Sequence, residues 1–233
     1  MVIASGVSIS PLKELTLEMK NATKIYLRVL FHAVVFVVLV GATTHAAELQ
    51  NYKVDSKDSS VSFSVKHIVV SEVRGRFKQF SGTIKFDEAN LPNSSVAFTV
   101  ETASVDTGNE RRDSDLRGPM FLEVTKYPEM SFVSRRIERS GHDYVLIGNL
   151  NLHGTTREIR VPFVYNGKVK DTMGKLRIAF SATFTINRQE WGINYNKVLD
   201  NGGLVAGNEV TVQLDVVAAE QQQPIPARID TIR

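Results

Sequence analysis

Apolar and polar residues alternate with a period of two along most of the chain from residue 49 onward. The clearest run places six side chains on one face: Leu176, Ile178, Phe180, Ala182, Phe184 and Ile186. A period of two is typical of a β-strand with one buried face. Comparable runs recur about eight times, and several are about ten residues long or longer. The sequence therefore predicts about eight long, one-sided strands.

Strands of this kind need a common interior for their apolar faces. Closing an antiparallel sheet on itself supplies that interior and removes the exposed sheet edges. An interior of about eight strands has room for side chains or for one small ligand. The only helical stretch, residues 109–117, is short and very polar. We therefore predict an all-β protein, an eight-stranded antiparallel barrel with a short surface helix near one end.

Turn-forming residues separate the predicted strands. Segments 87–93, 139–143 and 154–156 are rich in residues that favour turns. The pair Asn166-Gly167 is a hairpin-type turn signal between two apolar runs, so a strand is predicted to end there. We find no internal repeat and no sign of a second domain.

The amino-terminal part of the chain has the organisation of a secretory signal. Lys20, Lys24 and Arg28 precede an apolar run at residues 33–42, and small residues follow up to Ala46. We expect a signal peptide at residues 19–46, cleaved after Ala46, with residues 1–18 an over-extended start ahead of Met19. The apolar run is shorter than the ~20 residues of a membrane span, and an uncleaved anchor is the alternative.

The remaining boundaries and the location follow from that assignment. Residues 47–219 are expected to form the barrel domain and residues 220–233 a disordered tail, because that tail has no apolar period. The signal has a bacterial character, so we expect the protein in the periplasm or secreted, with no stable membrane span after cleavage.

Composition narrows the possible chemistry. The 233 residues include no cysteine, which excludes disulfides, thiolate metal ligands and cysteine nucleophiles. The formal net charge is only +3, from 28 basic and 25 acidic residues, and no Lys/Arg stripe with interleaved aromatic residues occurs. We expect no nucleic-acid partner, no resident cofactor, no metal site and no catalytic residues.

Thirteen residues on the inward-facing positions are the candidate binding wall. They are Phe63, Val65, Phe80, Ile84, Phe86, Phe98, Val100, Phe132, Leu150, Leu152, Phe163, Phe180 and Phe184. Alternation alone does not distinguish a filled interior from a cavity. Long strands and small inward residues (Gly82, Gly148 and Ala182) favour a cavity. Such an interior suits a chain-like apolar ligand, since burial contributes about 0.8 kcal/mol per CH₂ group.

Two other hypotheses stay open on these residues. His67 continues the inward phase of its strand, and with Asp113 or another acid it could serve a lipid-acting enzyme. The more ordinary interpretation is a hydrogen-bonded structural histidine. For the charged helix it is a set of solvated ion pairs, or a structural clamp in which Asp113 is partly buried against Arg112 or Arg117. The third hypothesis is a barrel with a solid core that acts through its surface.

Several segments in order make the chain resemble the YceI-like family of bacterial periplasmic lipid-binding proteins. They are SSVSFSVKH (59–67), VRGRF (73–77), FSG (80–82), RDSDLR (112–117), Phe121, YPEMSF (127–132), GNLNLHGTTR (148–157) and RQEWGI (188–193). The resemblance covers residues 52–217 and implies a lipocalin-like barrel with an elongated pocket. It implies a polyisoprenoid ligand such as a quinone tail, or a fatty acid or fatty amide, and often a homodimer. It adds Phe121 and Trp191 to the candidate wall.

Overall fold

A computed structural model describes residues 49–67, 71–141, 143–195 and 206–221. The predicted signal peptide, the predicted extra residues before it and nearly all of the predicted tail lie outside these residues. The strands are β1 (Gln50–Val54), β2 (Ser60–His67), β3 (Ser71–Phe77), β4 (Phe80–Phe86), β5 (Ser95–Glu101), β6 (Val105–Asp106), β7 (Glu129–Ser140), β8 (Asp143–Leu152), β9 (Thr155–Lys170), β10 (Leu176–Asn187) and β11 (Ala206–Glu220). One α-helix, α1 (Glu110–Arg117), occurs among the described residues.

The eleven strand segments build a closed antiparallel barrel of eight strands, as predicted. Three of the eight are interrupted, because β1 continues into β2, β3 into β4, and β5 into β6. The pairing shows this: β2 pairs with β3 where β1 pairs with β4, and β3 pairs with β6 where β4 pairs with β5. The long strand β11 pairs with both β1 and β2, which closes the barrel.

The two ends of the barrel differ in composition. One end, here called the aromatic end, is filled by a buried cluster. Its members are Tyr52, Val54, Ile84, Phe86, Leu91, Ile178 and Ala218. The other end, the helix end, carries α1, the following segment 118–122 and a 3-10 turn at Arg188–Trp191. Asn109 caps α1, since its side chain accepts a hydrogen bond from the backbone N–H of Arg112.

The predicted turn at Asn166-Gly167 is wrong. Strand β9 runs through these residues to Lys170, and its register with β10 shifts beside them, at Ala179/Phe180. Gly167 has a φ of +113°, so its backbone freedom serves a β-bulge rather than a hairpin turn. The chain turns later, where the Asp171 carboxylate accepts hydrogen bonds from the backbone N–H groups of Met173 and Lys175. The Asn166-Gly167 pair therefore does mark a departure from regular backbone, but that departure is a bulge within β9 and not its end.

Candidate functional site

The barrel interior contains an apolar cavity towards the aromatic end, here called the core cavity. The space open to the centre of a water-sized sphere is about 190 Å³. Most of its wall comes from β4, β5 and β7 to β11, whose inward positions alternate with outward ones. Ser94, Ser131 and Ser181 are the polar residues of this wall, and its other members are hydrophobic. A wall of this composition offers burial but almost no hydrogen bonds.

A second cavity, the helix-end cavity, lies beneath α1 and the segment 118–122. Its volume on the same measure is about 620 Å³. Five residues belong to the walls of both cavities: Val61, Met130, Leu152, Ile186 and Val212. The two cavities therefore adjoin inside the barrel and share part of their apolar walls. Together they give the interior the elongated form that a chain-like molecule would need.

Thirteen of the fifteen candidate residues line one cavity or the other. Those on the core cavity are Ile84, Phe86, Phe98, Val100, Phe132, Leu150, Leu152, Phe163, Phe180 and Phe184. Phe63, Val65 and Phe121 line the helix-end cavity.

Phe80 and Trp191 lie outside both cavity walls. Phe80 stacks on Phe98, with ring centroids 5.7 Å apart, and so stands behind a wall residue. Trp191 is 2% exposed, packs with Leu152 and Ile193, and donates from Nε1 to the carbonyl of Leu150 at 3.3 Å. Both aromatic rings support the wall without forming it.

Two of the three small inward residues make room for aromatic rings rather than for a ligand. A Cβ atom at Gly82 would lie 2.6 Å from a ring carbon of Phe98, and one at Gly148 would lie 2.5 Å from a ring carbon of Phe132. Only Ala182 of the three borders the core cavity. Of the three small residues taken to favour a cavity, Gly82 and Gly148 therefore accommodate aromatic rings, and Ala182 borders the open space.

Charged groups distinguish the helix-end cavity from the core cavity. Its wall includes Lys66, Arg112 and Arg188, together with one carboxylate, Asp115, and with His67. Arg188 is the most buried of these cations, with 5% of its surface exposed. Burial lowers its pKa from the ordinary arginine value, since a charge removed from water is disfavoured.

The guanidinium of Arg188 is held by neutral oxygen atoms. It donates to the carbonyls of Ile193 at 2.7 Å, Gly207 at 2.9 Å and Ala206 at 3.3 Å, and to the side-chain oxygen of Asn208 at 3.3 Å. No ion pair joins it to a carboxylate in the described part of the chain. In the segment RQEWGI, Trp191 was a candidate residue but Arg188 was not, because nothing in the local pattern shows that this arginine is buried.

The expected clamp on Asp113 exists with a different partner. Asp113 is 2% exposed and accepts hydrogen bonds from the backbone N–H and the hydroxyl of Thr107, at 2.9 and 2.5 Å. Arg112 also binds Thr107, through its hydroxyl and carbonyl, while Arg117 donates to the carbonyls of Ala103 and Val105. The expectation that Asp113 pairs with Arg112 or Arg117 is therefore wrong. These bonds fix α1 over the barrel end.

The histidines give little support to catalysis. His67 lines the helix-end cavity, but no carboxylate of the described residues lies within ion-pair distance of it, and Asp113 is engaged by Thr107. His153 packs on Tyr127, its Nδ1 lies 3.2 Å from the carbonyl of Trp191 and its Nε2 lies 3.6 Å from a carboxylate oxygen of Glu123. His142 lies outside the described residues. No group of three His, Cys, Asp or Glu residues that could hold a metal occurs in the described ranges.

Further wall residues follow the same alternation but were not selected from the sequence. Val96, Val161, Leu214 and Val216 line the core cavity, and Val96 and Val161 share a strand face with the candidates Phe98 and Phe163. In the described part of the chain, no helix has both the length and the hydrophobicity to cross a membrane.

Comparison with known proteins identifies the family. Residues 52–218 match the YceI-like domain. A UPF0312 protein of Pectobacterium carotovorum is 35% identical over 154 residues, which cover 65% of this chain and 80% of that protein. The solved structure of BcnA from Burkholderia cenocepacia has a TM-score of 0.63 and 25% identity, and the match covers 70% of this chain and 98% of that chain.

A more distant structure shares the fold. It is described as a polyisoprenoid binding domain from Saccharophagus degradans implicated in plant cell wall breakdown. Its TM-score is 0.56 at 16% identity, over 74% of this chain and 99% of that chain. The match to the family extends through nearly all of the barrel, from β1 to the last residues of β11. The chain belongs to the YceI-like family.

Proposed function

We propose that this protein is a periplasmic binding or carrier protein that holds a polyisoprenoid, such as a quinone tail, or another long-chain lipid inside the barrel. The observation that carries the proposal is the pair of adjoining cavities, of about 190 and 620 Å³, whose walls share five apolar residues. Their combined form suits a flexible hydrocarbon chain, for which each buried CH₂ group contributes about 0.8 kcal/mol.

The family supports a binding role over catalysis. The polyisoprenoid binding domain of Saccharophagus degradans has the same fold, and the walls described above provide burial rather than reactive groups. The proposed ligand-contacting residues are the thirteen candidates on the cavity walls. Phe80 and Trp191 support the walls from behind.

A barrel with a solid core, acting only through its surface, has less support. Its expected feature is an interior without cavities, whereas this interior contains two. No geometry favours the enzyme hypothesis based on His67. The homodimer implied by the family resemblance stays a prediction, which analytical ultracentrifugation of the purified protein tests.

The experiment that tests the proposed function is identification of a co-purified ligand. We expect organic extraction of the natively purified protein, followed by mass spectrometry, to yield a long-chain lipid in near-stoichiometric amount. After extraction, the refolded barrel should bind the apolar dye Nile red, and an added long-chain lipid should displace it. An empty protein that binds neither the dye nor any long-chain lipid would contradict the proposal.

A further inference from the structure

The helix-end cavity carries an excess of positive charge. Among the described residues, the guanidinium-bearing residues Arg112 and Arg188 line it against one carboxylate, Asp115, whereas the adjoining core cavity has no charged residue in its wall. Lys66 also borders the helix-end cavity, but its side chain is exposed and lies across from Glu72 on β3. A ligand that extends through both cavities would therefore place one part among apolar side chains and another part among cations. This division is typical of a site for an amphiphile, a chain with a polar head.

Arg188 is the buried cation of this wall. Only 5% of its surface is exposed, and its guanidinium donates to three backbone carbonyls and one side-chain amide oxygen. Of the two hydrogens on Nη1, one is accounted for by the bond to Ile193. A buried charge without a counterion is costly, and neutral hydrogen bonds offset only part of that cost.

A second arginine of the barrel, Arg177, differs from Arg188 in having carboxylate partners. Arg177, near the aromatic end, lies within 3.1 Å of carboxylate oxygens from Asp55, Asp58 and Asp171. Those interactions raise the pKa of Arg177, the side-chain hydrogen bond to Asp171 contributing most, whereas burial lowers that of Arg188. Within the described ranges, the more exposed arginine is thus paired with acids, whereas the more buried one, on a cavity wall, has no acidic partner.

We propose that the helix-end cavity binds an anionic head group, a carboxylate or a phosphate, of the lipid whose chain occupies the core cavity, and that Arg188 is its principal contact. This inference rests on the proposed function, because it assigns the head group of the same ligand. Oxygen anions form short, charge-assisted hydrogen bonds with guanidinium groups, and the remaining hydrogen on Nη1 of Arg188 can donate one such bond. Arg112 lies on the same wall and adds attraction for an anion.

The test compares three probes with identical chains: hexadecanoic acid, hexadecyl phosphate and hexadecanol. Each displaces Nile red from the extracted, refolded protein at a mildly alkaline pH, where the acid is ionised. We expect at least one anionic probe to bind about tenfold more tightly than the alcohol, the factor that one charge-assisted hydrogen bond provides. Which anion is preferred distinguishes a carboxylate head from a phosphate head.

Two variants separate head-group contact from a structural role. Arg188→Gln should remove the preference for the anion while leaving hexadecanol binding within about twofold, and Arg188→Lys should keep part of the preference because the charge remains. Arg177→Gln is the matched control, since it removes a guanidinium at the other end of the barrel, and it should keep the full preference.

Three results would overturn the inference. They are equal binding of the alcohol and both anions to the unaltered protein, an anion preference that survives Arg188→Gln, or an Arg188→Gln protein that loses all three probes equally. The first needs no variant, so it decides the matter even if the Arg188 variants do not fold. Failure of all three probes to bind would instead contradict the proposed function itself.

Discussion

The aromatic end and the helix end of this barrel use the same kinds of residues for different purposes. At the aromatic end, Phe86 is 1% exposed and contacts three other rings, and Arg177 is neutralised by three carboxylates. At the helix end, the wall borders the larger cavity, and the acceptors of Arg188 among the described residues are all neutral. The aromatic end packs its rings together and pairs its arginine with carboxylates. The helix end has the larger cavity, and the described residues provide no counterion for Arg188.

This difference indicates where stability and binding reside. Natural proteins depart from complete packing and charge pairing mainly at functional sites, and the departure must be compensated elsewhere in the fold. In this barrel, packing at the aromatic end can offset the stability lost at the helix end, because the same long strands, such as β10 and β11, extend between the two ends. Substitutions at the aromatic end should therefore change stability most, and substitutions in the cavities should change binding most.

The largest expected effect is the loss of stability from Phe86→Ala. The Phe86 ring lies 5.2 Å from Tyr165, 5.7 Å from Phe180 and 6.0 Å from Tyr52, measured between centroids. Removing it should lower the free energy of unfolding by about 3–5 kcal/mol, the usual cost for a buried aromatic side chain. Urea denaturation followed by circular dichroism measures this change.

The matched control at the other end is Phe121→Ala. Both rings border a cavity, but Phe86 is 1% exposed whereas Phe121 is only half-buried, so removing Phe121 returns less buried apolar surface to water. We expect a loss of about 1 kcal/mol, near the average for point mutants. Equal losses at the two positions would break the distinction between the ends.

The second prediction concerns binding and fills the core cavity. Ala182 borders this cavity of about 190 Å³, and Ala182→Phe would place a ring in it. We expect Nile red and long-chain lipids to bind at least about tenfold more weakly. The free energy of unfolding should fall by at most about 3 kcal/mol, within the usual cost of overpacking. Fluorescence titration with Nile red measures the affinity.

Thr183→Phe is the control for that substitution. Thr183 is the next residue of β10, on the outer face and exposed, so the same ring is added outside the barrel. It should leave dye and lipid binding unchanged. Unaltered binding in Ala182→Phe would mean that the ligand does not enter the core cavity.

The third prediction concerns how the carboxylate partners of Arg177, which Arg188 lacks among the described residues, affect stability at acidic pH. The hydrogen bond from Arg177 and those from the backbone of Lys175 and Met173 hold the pKa of Asp171 below its ordinary value of 3.8. A carboxyl whose folded-state pKa is depressed contributes stability above its unfolded-state pKa, and that contribution disappears as the pH falls through the folded-state pKa. Asp171→Asn should therefore lower stability near neutral pH and flatten its decline on acidification below about pH 4.

Urea midpoints measured across this acid range test the prediction. Arg177→Gln should reduce the same pH dependence, and the double variant should lose less than the sum of the two single losses, because the two residues share one interaction. If Asp171→Asn declines in acid as steeply as the unaltered protein, the acidic cluster around Arg177 does not stabilise this end.

The sequence predicted the strands and the inward face well, because alternation reports directly which side of a strand is buried. It gave no account of cavity position, since that depends on how rings from different strands meet. Gly82 and Gly148 illustrate the point: both suggested open space, yet Phe98 and Phe132 cover them. Which rings cover which positions is a property of register, and strand register is set by pairing across the whole barrel.

The polar part of the site was less accessible still. Arg188 stands in a segment with other polar residues, and only tertiary structure places it beneath the carbonyls of Ile193, Ala206 and Gly207. In the same way, Asp113 lies among charged residues of α1 but binds the hydroxyl of Thr107. Local charge patterns predict exposed pairs, and both of these groups are buried by contacts that the local pattern does not contain.

The smallest expected effect is a change in the titration of one phenol at the aromatic end. Burial, together with the charge of Glu88 and its hydrogen bond, raises the pKa of Tyr165 to about 12. Glu88 accepts from the Tyr165 hydroxyl at 3.3 Å and also pairs with Lys168. Glu88→Gln should lower the pKa of Tyr165 but keep it above the ordinary 10.0, because burial is the largest cause and remains.

Alkaline titration of phenolate absorbance measures this pKa, and Tyr165→Phe identifies which part of the signal belongs to Tyr165. The helix end offers the comparison, because Arg188→Gln removes a charge there and should leave the Tyr165 titration unchanged. A Tyr165 pKa that falls all the way to 10.0 in Glu88→Gln would show that the carboxylate, and not burial, dominates. In that case the aromatic end would exclude water less completely than its packing indicates.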